Sequence, residues 1–146
     1  MHWLADQVER VAARADSFQA ASSSALGDAP LPEPARQQEA RRAYLAAVRE
    51  LVEHVAQREG VTACFACHDG LVLHSAGEAP DFEALSAMTQ ASLTAAREAA
   101  LALSLGRVKQ LVLVGEEHKL ALLVVGLLAI GILSPKDVQL GQTLAR

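Results

Sequence analysis

The residues with most chemical potential lie close together, in the run Cys64-Phe-Ala-Cys67-His68. That spacing matches the attachment motif of a c-type haem, and two thiols three apart also suggest a redox pair. Haem attachment needs an oxidising compartment and therefore a leader. The chain opens MHWLADQVERVAARAD, with charges inside its first ten residues and no apolar h-region, so it reads as cytoplasmic with its thiols reduced. The motif also falls in VTACFAC (61–67), a β-rich run entering a tight His68-Asp69-Gly70 turn. Side chains three apart on a strand point to opposite faces, so the two sulfurs do not converge on one haem or metal. A redox pair belongs at a helix N-terminus, where the thiolate is stabilised. Two buried strand cysteines are therefore expected and no cofactor is implied, with a haem or metal protein through Cys64, Cys67 and His68 as the remote alternative.

Other candidates fare no better. His54, His68, His74 and His118 with the two cysteines make one close-spaced ligand pair, where a structural zinc site usually has two. No metal site is expected, and the histidines read as solvent-facing at hairpin edges. There is no GxSxG, P-loop or HExxH motif, and Ser75, Ser86 and Ser92 sit in turns or helices. Glu116-Glu117-His118 reads as a solvated hairpin turn. Arg97 and Arg107 are the only central arginines. The chain reads as no enzyme.

The elements that position these residues follow from periodicity. Leu4, Val8, Val11, Ala15 and Phe18 recur at helical spacing, which predicts an amphipathic helix over 1–21, docking through Leu4, Val8, Val11 and Phe18 on the domain or recruiting a partner. Ser22 to Ala35 holds three serines, a glycine and three prolines, so 22–36 reads as a linker. The folded domain then spans 37–146. It opens with a helix over 37–59 whose stripe is Tyr44, Val48, Leu51, Val52 and Val55, with Gly60 as its stop. A Asp69-Gly70 hairpin joins strands 61–67 and 71–75. A long helix covers 81–105 and ends at Gly106. Strands 107–115, 118–126 and 127–134 follow, and Ser134-Pro135 reads as the cap and first turn of a last helix.

The order is α-β-β-α-β-β-β-α: an α/β (α+β) sandwich with a five-stranded, mostly antiparallel sheet crossed once by the middle helix. Residues 111–114 and 120–125 are apolar throughout, so helices are expected over both faces of the sheet. On the middle helix, Leu85, Met88, Ser92, Ala95 or Ala96, Ala99 and Leu103 form the expected sheet-facing stripe. Ala84, Ala87, Ala91, Leu93 and Ala100 leave a second small or apolar surface, which suits a partner helix.

Composition agrees. Hydrophobic residues make up 51% of the 146, aromatics only 3%, and the net charge is -4. An aliphatic core can form, while an acidic chain without stacking aromatics does not suit nucleic acid. The longest apolar run, Leu120 to Leu133, is 14 residues. That falls short of the roughly 20 of a membrane span.

GVTACFACHDGLVLHSAG (60–77), the helix over 81–105, KQLVLVGEEHKLALLVV (109–125) and SPKDVQLGQTLAR (134–146) together resemble the roadblock, or dynein light-chain, family over about two thirds of the chain. The resemblance implies a profilin-like sheet that pairs with a second copy. Middle helices would pack side by side and third strands meet edge to edge, engaging Val112 and Val114. It also implies a non-catalytic, cytoplasmic regulator or scaffold of a Ras-like small GTPase, as in the bacterial GTPase-activating members. The alternative is a pure scaffold of a signalling or motility complex. The 35-residue N-terminal extension has no counterpart in those members.

Overall fold

The computed structural model describes residues 3, 4, 6–11, 13, 14 and 33–140. Phe18, most of the segment read as a linker, and the residues from 141 onward, where the last helix is expected to continue, lie outside the described residues. The N-terminal described residues, 3, 4, 6–11, 13 and 14, are helical and are labelled α1. Helix α2 is Glu33–Ala56, followed by β1 (Ala63–His68), β2 (Leu71–Gly77), α3 (Phe82–Ala102), β3 (Gln110–Val114), β4 (His118–Val125) and β5 (Leu128–Pro135).

Two boundaries differ from the sequence reading. Helix α2 begins at Glu33, inside the expected linker. A proline in a helix's first turn costs nothing, because its missing N–H has no partner there. Ser134 and Pro135 are not a helix cap: both belong to β5, where they pair with Lys119 and His118. Pro135 lacks a ladder donor and so sits at the strand's last position.

The sheet order is β2-β1-β5-β4-β3, with every pairing antiparallel. Asp69 and Gly70 both have positive φ, which is the two-residue turn that matches strand twist. Helix α3 carries the chain from β2 at one edge to β3 at the other. One face buries Cys64, Ala66, Ala121, Leu128, Ile130 and Ile132 beneath α1 and α2, against Leu4, Val8, Tyr44, Val48 and Val52. The opposite face buries Phe65, Cys67, Leu122 and Ala129 against Leu93 of α3, flanked by Phe82 and Leu85.

The expected two-sided cover is thus real for β1, β5 and part of β4, but not for β3. That strand is the sheet edge, and Val112 to Val114 are exposed. An apolar composition reports affinity for cover, and among the described residues nothing supplies it to the outer edge of β3.

Candidate interaction surface

Helix α3 is fixed from its first turn. Asp81 caps it from an extended backbone, its carboxylate accepting from the Glu83 and Ala84 amides at 3.0 and 3.1 Å. Ser86 then donates to the Gly70 carbonyl at 2.8 Å, tying the helix to the β1–β2 turn. The buried residues of the helix are Ser86, Thr89, Leu93 and Ala100.

That stripe corrects the sequence reading of which side faces the sheet. Leu93 and Ala100, assigned to a partner surface, are 1% and 5% exposed and belong to the chain's own core. Met88 and Leu103, assigned to the core, are each 68% exposed. The helix is so rich in alanine that its apolar pattern has little phase, and two polar residues hold sheet-facing positions. Ala84, Ala87 and Ala91 are exposed, as are Thr94 and Ala95. Small side chains leave this outward face nearly flat, which permits close approach of another helix.

Beyond the helix the apolar surface continues. Leu101, Leu103 and Leu105 are 83%, 68% and 71% exposed, and Val112, Leu113 and Val114 of β3 are 45%, 45% and 70% exposed. The alternate spacing of leucines in LALSLG fits no helical core stripe, and that is the sequence signal which could have marked them as a surface ridge. Backbone pairing leaves the outer edge of β3 open, since β4 is its one neighbour in the sheet. Exposed apolar side chains at an open strand edge are suited to association.

Arg97 and Arg107 come together. Both line a cleft of about 770 Å³ at the C-terminal end of α3, with Leu101, Val108, Val124 and Leu127 among its walls. Neither arginine has an ion-pair partner among the described residues.

The thiols do not converge. Cys64 lies under α2 and Cys67 under α3, on opposite faces of β1. Burial pushes the Cys64 thiol up to about 12, and raises Cys67 as well, with a Ser86 hydrogen bond acting against the rise. Both are therefore neutral thiols near pH 7, without the thiolate that metal binding or redox exchange requires. Among the described residues no group of three or more His, Cys, Asp or Glu side chains is arranged to hold a metal ion.

The histidines are more engaged than expected. His68 Nδ1 lies 3.1 Å from the Tyr44 hydroxyl, and the Tyr44 phenol is raised to about 12 by burial and by the nearby Cys67. His74 Nε2 is 3.3 Å from Glu53 Oε1, which also pairs with Arg49. His54 lies against Trp3, with ring centroids 5.1 Å apart, and the Arg58 guanidinium lies 4.6 Å from the Trp3 ring centre. This cluster and the buried Leu4, Val8 and Val11 seat α1 on the chain's own core. Glu116 and Glu117 are exposed at the β3–β4 turn, with His118 beside them.

Among the described residues no helix is long and apolar enough to cross a membrane. Residues 47–134 match the Roadblock/LC7 domain family. Solved structures are similar in fold. MglB from Myxococcus xanthus aligns with a TM-score of 0.62 and 15% identity over 69% of this chain and 78% of that one. The gliding protein MglB from Thermus thermophilus gives 0.57 and 20% over 64% and 75%. A Roadblock/LC7 domain from Streptomyces avermitilis gives 0.56 and 19% over 62% and 79%. No curated protein matches.

Proposed function

The chain belongs to the Roadblock/LC7 domain family, and from that premise we propose that it is a non-catalytic regulator or scaffold that pairs with a second copy of itself and binds a Ras-like small GTPase. The observation that carries the reading is β3: among the described residues it is an edge strand with an open outer side and exposed valines, in a chain whose α3 also turns a bare face outward. Two copies meeting along β3 extend one sheet through both, and their α3 helices lie side by side through Ala84, Ala87 and Ala91. Val112 and Val114 pass from solvent into the joint. Burial of apolar surface is worth roughly 25 cal/mol per Å², so covering strand and helix together supplies a useful driving force.

The GTPase would be engaged by the composite surface that pairing creates. The chain would act by ordering the GTPase's own catalytic loops. The first test is mass by light scattering at micromolar concentration, where a dimer is expected and Val114→Lys should yield single chains. A single-chain mass for the unmodified protein refutes the pairing. The second test measures phosphate release from Ras-like GTPases with and without added protein, alongside direct binding. Acceleration marks a regulator, binding without acceleration marks a scaffold, and no binding to any of them refutes the GTPase reading.

A further inference from the structure

A cleft lies at the C-terminal end of α3, and its Leu101 belongs to the exposed apolar surface described above. We infer that the cleft is a docking site for an acidic, apolar peptide segment of another protein, one in which Asp or Glu stands beside Leu, Ile or Phe. Leu101 and Leu127 line it and are 83% and 49% exposed, with Val108 and Val124 beside them. Arg97 and Arg107, exposed in the same cleft, have no ion-pair partner among the described residues. The occupant must therefore offer both aliphatic side chains and a carboxylate. A guanidinium takes a carboxylate through two parallel hydrogen bonds, while the leucines cover its apolar neighbours.

Charge along the chain points the same way. From Ala99 to Gly115 there is no acidic residue, and Arg107 and Lys109 are the charged positions. The segment from Gly126 to Ser134 is uncharged. A chain of net charge -4 thus presents a local cationic, apolar cleft. Its volume of about 770 Å³ is enough for several side chains. An anionic membrane is drawn by clusters of about four to eight basic residues, more than the cleft provides. Nucleic acid would want stacking aromatics, and none is among its lining residues. The inference does not rest on the GTPase reading, because it needs only the cleft of the chain itself.

The test selects a phage-displayed library of random peptides of about twelve residues against the full chain, then measures the best synthetic peptide by fluorescence anisotropy. Recovered sequences should be enriched in Asp or Glu adjacent to Leu, Ile or Phe. The double variant Arg97→Gln/Arg107→Gln should bind the peptide at least about tenfold more weakly, as should the native chain in about 0.5 M salt. Leu101→Ser should weaken it too, and Leu127→Ser serves if that variant fails to fold. No binders, no acidic enrichment, or equal binding by the double variant overturns the proposal. So does arginine-dependent capture on vesicles containing about 30% phosphatidylserine, which would assign the cleft to lipid. A changed light-scattering mass in the double variant would assign it to self-association and overturn it equally.

Discussion

Replacing Gly131 by alanine probes the layer on which α3 rests. Gly131 lies in the middle of β5, opposite Phe65 of β1 and Leu122 of β4. The Phe65 ring fills the space a Cβ would need: an added methyl would overlap Cζ and Cε1 and come within 2.9 Å of Cε2. Carbon atoms in contact settle at roughly 3.5–4.0 Å, so the ring must retreat by about 1 Å. It has nowhere to go. Phe65 is fully buried, with the Phe82 ring 6.3 Å away at 61° and Leu93 and Leu122 in the same cluster. Overpacking a filled core costs about 1–3 kcal/mol, and a rigid ring against backbone belongs at the upper end. Removing glycine's extra unfolded-state freedom returns about 0.5–1 kcal/mol, leaving a net loss of about 2 kcal/mol. In urea the midpoint should fall by roughly 1 M, for a slope of about 2 kcal/mol per M. Phe65→Leu is itself destabilising, but in that background Gly131→Ala should be close to neutral. A loss below about 0.5 kcal/mol for Gly131→Ala alone would falsify the packing argument, and so would an unchanged cost beside Leu at 65.

Three further outcomes follow from named contacts. Asp81→Ala should cost about 1 kcal/mol by removing the cap of α3, and Asp81→Asn should recover most of it; equal losses for both would exclude capping as the cause. Leu4→Ala should cost about 3 kcal/mol in urea unfolding, since Leu4 is fully buried; a loss under about 1 kcal/mol would mean that α1 is not part of the cooperative core. Stability should also fall at alkaline pH. Below pH 9 the Cys64 thiol is neutral folded and unfolded, but above it the unfolded chain loses that proton while the folded chain keeps it up to about 12. The contribution is whole below pH 9 and is lost through the window from 9 to 12, at about 1.4 kcal/mol per pH unit. Denaturant titrations across that window should be less steep for Cys64→Ala, by about one proton; parallel profiles would refute it.

Element order, hairpin positions and the separation of the two cysteines were legible because each rests on a strong local signal: the Asp69-Gly70 turn, period-two geometry, glycines at chain reversals. The phase of α3 was not. Ser86 faces the sheet because Gly70 offers its carbonyl there, a contact set by a residue sixteen positions earlier. Likewise His68 and His74 read as solvated side chains, but their partners Tyr44 and Glu53 come from α2, which periodicity cannot bring to them. The exposure of β3 was hidden for a related reason. QLVLV has the composition of a central strand, and only sheet order makes it an edge. Arg97 and Arg107 stood out as the sole central arginines, while their meeting in one cleft depends on how α3 returns to β3.

The apolar edge also limits what kind of molecule this can be. A strand such as Gln110–Val114, left bare, is a template for uncontrolled pairing. Edge strands are ordinarily guarded by charge, proline or a covering element. Here Arg107 and Lys109 precede the strand and Glu116 and Glu117 follow it, so the guards stand at its ends and the middle is left apolar. Opposite charges at the two ends of one short strand have a consequence for pairing. In an antiparallel meeting of two copies, the basic end of each strand lies beside the acidic end of the other, whereas a parallel meeting sets like against like. The same residues that discourage indiscriminate stacking therefore favour a single antiparallel register between two copies, one that closes on itself and leaves β2 as the outer strand at each end of the joined sheet.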